Sequence, residues 1–83
     1  MKRQQRLAFN ALKKIGAPVF ERADKSDTFG LSAEDNVERI WADYYGEFRG
    51  GYPVIDPEVE QIMEKYHLYL EWSDPGSLFA YED

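Results

Sequence analysis

Leu68-Tyr69-Leu70-Glu71-Trp72 and Leu78-Phe79-Ala80-Tyr81 are two β-prone runs. Ser73-Asp74-Pro75-Gly76-Ser77 separates them. Such a pair closes as a hairpin. A lone hairpin is marginal in water, so this one must join further strands or lie under a helix. Pro75 supplies φ of about −65° and Gly76 is suited to positive φ, the pair a type II turn requires. Pairing Asp74 with Ser77 sets Trp72 opposite Phe79 and Leu70 opposite Tyr81. One face of the hairpin is then Leu68, Leu70, Trp72, Phe79 and Tyr81, almost wholly apolar.

The rest of the chain divides at similar punctuation. Residues 3–15 read as a helix, with Leu7, Ala8, Ala11, Leu12 and Ile15 in one stripe and Phe9 off it. Gly16 and Pro18 end that helix. Val19 to Ala23 and Thr28 to Leu31 form a second hairpin around Asp24-Lys25-Ser26-Asp27, with Phe20 opposite Leu31 and Arg22 opposite Phe29. Ser32 caps a middle helix that runs to Phe48, with Ala33, Val37, Ile40, Trp41, Tyr44 and Phe48 at helical spacing. Gly50-Gly51 closes it. Asp56-Pro57 opens a third helix, capped by Asp56, with Val59, Ile62, Met63 and Tyr66 inward and Lys65 and His67 at its C-terminal end. The expected fold is a small single α+β domain over residues 1–83, in the order α-β-β-α-α-β-β. Its two hairpins join in an antiparallel sheet with the helices packed on one face.

Composition limits the chemistry. The chain has 83 residues, no cysteine and a single histidine. Thiolate metal sites, cysteine nucleophiles and sites needing two imidazoles from one chain are thereby excluded. The serines sit at expected turns and caps, which explain them without catalysis. No phosphate loop or EF-hand pattern is present. The expectation is a non-enzymatic protein with no cofactor and no metal. No apolar run approaches the roughly 20 residues of a membrane span, so a cytoplasmic location with no membrane partner is expected.

Charge is distributed unevenly. Residues 1–25 carry seven basic against two acidic side chains, +5, and residues 26–83 carry three against fourteen, −11. The acids cluster on the two later helices, Glu60 and Glu64 among them as a like-charged i, i+4 pair. Such a field attracts basic protein surfaces and argues against direct nucleic-acid binding. Tyr is enriched at interface hot spots, and the patterning leaves Phe9, Tyr45, Tyr52 and Tyr69 without a buried place. The expected partner-binding residues are Glu34, Asp35, Glu38, Asp43, Tyr45, Glu47, Tyr52 and Tyr69.

In size, acidity and lack of catalytic residues the chain resembles small accessory proteins of bacteriophages and mobile elements, including host-takeover proteins and anti-CRISPR inhibitors. The resemblance is compositional and involves no motif. It implies a module that blocks or modulates a nucleic-acid-handling protein, an acidic surface standing in for the phosphates of DNA. Two other classes fit the same residues: an assembly subunit that self-associates through helix one or a sheet edge, and a nucleic-acid binder acting through Lys2, Arg3, Arg6, Lys13, Lys14 and Phe9.

Overall fold

Local determinants place both helices of the structure, a computed structural model that describes residues 1–22, 28–34, 39–44 and 53–82. Helix α1 spans Arg3–Lys14. Gln5 folds its side chain back to accept the Lys2 N–H at 3.0 Å, and Lys13 and Lys14 occupy the last turn, where cations suit the helix dipole. Gly16 follows with φ 91°, a left-handed conformation that any side chain would strain. Helix α2 spans Pro57–Lys65. Asp56 caps it, accepting from the amides of Glu58 at 2.9 Å and Val59 at 3.4 Å. His67 stands just beyond α2 with φ 59°, as a helix-end residue.

The domain is α+β, with the order α-β-β-β-β-α-β-β. Strands β1 (Val19–Glu21), β2 (Phe29–Ser32), β5 (Leu68–Asp74) and β6 (Ser77–Glu82) form an antiparallel sheet in the order β1-β2-β6-β5. The two expected hairpins do join in one sheet. β3 (Ala42–Asp43) and β4 (Val54–Ile55) make a separate two-stranded ribbon.

The expected middle helix is corrected by that ribbon. Ala42 pairs with Ile55 and Asp43 with Val54, and Ser32 is the last residue of β2. The Ser32 hydroxyl oxygen accepts the Glu34 N–H at 3.2 Å. That is the bond a helix cap makes, here closing a turn at a strand end. Arg39 is drawn to the start of α2 by Asp56, and the Trp41 carbonyl oxygen accepts the Asp56 N–H at 2.8 Å. These tertiary bonds outweigh a helical periodicity whose span also contains Gly46, a residue costing about 1 kcal/mol inside a helix. Among the described residues there are therefore two helices, and none in the place of the expected middle one.

Both hairpins shift register by one residue from the expected pairing. In β1–β2, Phe20 lies opposite Gly30 and Val19 opposite Leu31. In β5–β6, Asp74 pairs with Ser77 as expected, but an irregularity between Trp72 and Asp74 puts Trp72 opposite Leu78 and Leu70 opposite Ala80. An extra residue in one strand turns every later side chain of the pairing to the other face. The turn also departs from type II, since Gly76 does not take positive φ. Instead the Asp74 carboxylate accepts from the Gly76 N–H at 2.8 Å and the Ser77 hydroxyl at 3.0 Å. Its own side chain closes the turn.

The shifts redistribute the aromatics. Phe29, Leu31, Leu78, Leu68 and Ala80 point into the core, where Ala8, Phe9 and Leu12 of α1 and Val59 and Met63 of α2 meet them. Phe9 is buried, its ring 5.6 Å from that of Phe29, against the expectation that it lies off the apolar stripe. Leu7, expected in the stripe, is exposed. The opposite side of the sheet carries Phe20 edge-on to Phe79 at 5.9 Å and Tyr69 beside Tyr81 at 5.8 Å. Arg22 lies over the Phe79 ring at 3.9 Å.

Gly30 makes room for the Phe20 ring. A Cβ there would lie 2.7 Å from Phe20 Cε2 and 3.0 Å from the Leu78 carbonyl oxygen. Gly30→Ala should therefore cost about 1 kcal/mol, the lower end of overpacking penalties because the exposed ring can swing aside. Urea unfolding followed by Trp fluorescence measures it, and an unchanged midpoint would mean that Phe20 does not rest on Gly30.

Candidate functional site

Of the expected partner-binding residues, Glu34, Asp43 and Tyr69 lie within the described residues. Asp35, Glu38, Tyr45, Glu47 and Tyr52 lie outside the described residues. Asp43 is buried within β3, so it cannot serve as an exposed contact. Glu34 is exposed and packs its carboxylate against Gly76 at the far hairpin turn. Tyr69 is exposed on β5, as expected.

Tyr69 borders the same groove as a pair of acids from α2. Glu60, Glu64 and Tyr69 rim an open groove of about 240 Å³ between α2 and β5. Met63, Leu68, Leu70 and Ile55 complete its lining. The α2 spacing explains the two sides. Val59 and Met63 turn into the core, while Glu60 and Glu64 fall one turn apart on the exposed face. β5 follows α2 after the short Tyr66-His67 turn, which brings Leu68 to Leu70 alongside the helix they have just left. Among the described residues no cation pairs with Glu60 or Glu64. Two carboxylates one turn apart repel by about 0.2–0.5 kcal/mol, and a bound cation removes that cost. The two acids are evident in the sequence as a pair; their sharing a groove with β5 is not, because it depends on how α2 lies against β5.

A second charged cluster fixes the N-terminal end of α2. Arg39 donates from Nε to Asp56 Oδ2 at 3.0 Å, from Nη2 to Asp56 Oδ1 at 2.7 Å and from Nη2 to Glu58 at 2.9 Å. Its guanidinium also lies 4.2 Å from the Trp41 ring centre. Burial pushes the Asp56 carboxyl up. Hydrogen bonds from Arg39 and from the Glu58 and Val59 amides outweigh burial and hold it below its ordinary value. The Arg39 guanidinium is in turn held above its own by hydrogen bonds to Asp56 and Glu58. Both Asp56 oxygens and two of the three Arg39 guanidinium nitrogens are engaged within the cluster, which makes it structural.

The basic first helix is partly neutralised from within. Lys2 pairs with Glu82 and Arg6 with Glu21, each at 2.8 Å. Lys13 lies 5.9 Å from the Phe9 ring centre, and Phe9 itself is buried, so neither is arranged to stack on a base. No three His, Asp or Glu side chains gather as metal ligands among the described residues. No described helix is long and apolar enough to cross a membrane. No protein-family model, curated protein or solved structure matches this chain.

Proposed function

We propose that this chain is a non-enzymatic protein-binding module that takes a basic segment of its partner into the groove between α2 and β5. The groove carries the reading: an apolar floor suits the methylene stem of a lysine or arginine, and two unpaired carboxylates suit its head. Tyr69 on the rim adds a rigid aromatic contact of the type that anchors interfaces. Surfaces that hold nucleic acid are rich in exposed Lys and Arg. A nucleic-acid-handling protein is therefore the natural partner class, and occupancy by this chain would compete with its polyanion.

Titrating a fluorescein-labelled lysine octapeptide with the protein, read by anisotropy, tests this. Binding should saturate and weaken with salt. Glu60→Lys combined with Glu64→Lys should weaken it by roughly tenfold or more, since like charges then face each other. Glu34→Lys, on the distant turn, should leave it within about twofold. Equal losses from both charge reversals would reduce the effect to net charge and sink the groove as the site.

A further inference from the structure

We infer that the partner segment enters as an extended strand added to the free edge of β5, with alternate basic side chains over α2; the inference rests on the groove being the binding site. β5 is the last strand of the order β1-β2-β6-β5 and, among the described residues, has a strand neighbour on one side only. Among the described residues, no backbone group of Leu68 to Trp72 bonds to anything but β6. The other edge, β1, is three residues long, whereas β5 has seven.

Proteins blunt a long edge with bulges and charges. Here the irregularity lies between Trp72 and Asp74, at the far end of the strand. The stretch left regular, Leu68 to Trp72, includes Leu68 to Leu70, which line the groove. Unpaired edge and groove are thus two sides of one surface.

Geometry then specifies the occupant. An added strand lies about 4.8 Å outside β5, and its side chains alternate between the two faces of the sheet. Those on the core side pass over the exposed face of α2. Residues i and i+2 of a strand stand about 6.8 Å apart, and Glu60 and Glu64, one helical turn apart, have Cβ atoms about 5–6 Å apart. A Lys-X-Lys or Arg-X-Arg pattern therefore sets one cation against each carboxylate. The intervening X falls on the other face, beside Tyr69, where an apolar or β-branched residue packs best. This is strand addition, in which main-chain bonds supply affinity and alternate side chains supply specificity.

The full chain can be tested with acetyl-Ser-Val-Lys-Val-Lys-Val-Ser-amide and two N-methylated twins, one methylated on both lysine nitrogens and one on the three valine nitrogens. In a strand, alternate residues point their N–H groups to opposite sides. One twin should lose roughly tenfold or more in affinity and the other should bind within about twofold of the parent. Retention by both twins, or loss by both, overturns strand addition. With both retained, the loss of parent-peptide binding in Glu60→Lys/Glu64→Lys still upholds the groove. A parent peptide that fails to bind while the lysine octapeptide binds also overturns the strand. Failure of both probes overturns the groove as well.

Discussion

Leu78→Ala should lower the free energy of unfolding by about 2–5 kcal/mol, the range for a fully buried leucine. The side chain has no exposed surface and lies at the centre of the core with Phe29, Leu31 and Leu12. Truncation removes its transfer energy and leaves a cavity walled by the sheet and both helices, with little freedom to collapse. The total stability of a domain this size is only about 5–10 kcal/mol, so the variant should be partly unfolded at 37 °C. The neighbouring Phe79→Ala makes the informative contrast. Phe79 is the larger residue, but it sits half-buried on the opposite face, against Phe20 and under Arg22, so its loss should cost about 1 kcal/mol. Urea unfolding of the pair reads the register of the hairpin. The order of the two effects would reverse if Trp72 faced Phe79.

Asp56→Ala should cost about 2 kcal/mol or more, because one carboxylate does two jobs. It caps α2 through the Glu58 and Val59 amides, worth up to about 2 kcal/mol. It also holds the Arg39 guanidinium at two points. Without it the helix start loses its acceptor and residues 39–43 lose their tether to the start of α2. Asp56→Asn separates the roles, since asparagine caps as well as aspartate but carries no charge; it should be milder than Asp56→Ala.

The pH dependence follows from the same site. The carboxyl is held below its ordinary value of about 3.9 in the folded state. The unfolded chain binds the proton first, so this contribution is complete above roughly pH 5 and is lost as pH falls through the depressed folded value. Between about pH 5 and 3 the wild type should lose more stability than Asp56→Asn. Parallel acid profiles for the two, by Trp fluorescence, would show that Arg39 does not hold the charge.

The helix ends are legible in the sequence because their causes lie within a few residues. Gly16 with Pro18, and Asp56 with Pro57, end and begin helices through φ preference and capping geometry that need no partner. The hairpin turn at Asp74 to Ser77 is legible for the same reason, even though Asp74 closes it by its side chain and Gly76 keeps negative φ. Residues 32–48 mislead because helical periodicity alone ignores what Arg39 and Trp41 can reach. Asp56 is seventeen residues from Arg39 and no local pattern announces the pair.

The candidate site divides in the same way. The repelling Glu60–Glu64 pair and the unplaced Tyr69 are both visible in the sequence. Only the packing of α2 against β5 makes them one groove.

By itself, then, the sequence determined the α+β class, both helix boundaries, the two hairpins and the like-charged pair on α2, all set by local conformational preference and short-range spacing. Tertiary structure decided which face each aromatic of the four-stranded sheet occupies, that residues 42–43 pair with 54–55, and that, among the described residues, β5 is left as an edge beside two carboxylates. The physical reason is parity. A strand's side chains alternate with period two, so a single irregularity between Trp72 and Asp74 reassigns Leu78 and Ala80 to the core and Phe79 and Tyr81 to the far side. Only packing against α1 and α2 selects between those two pairings.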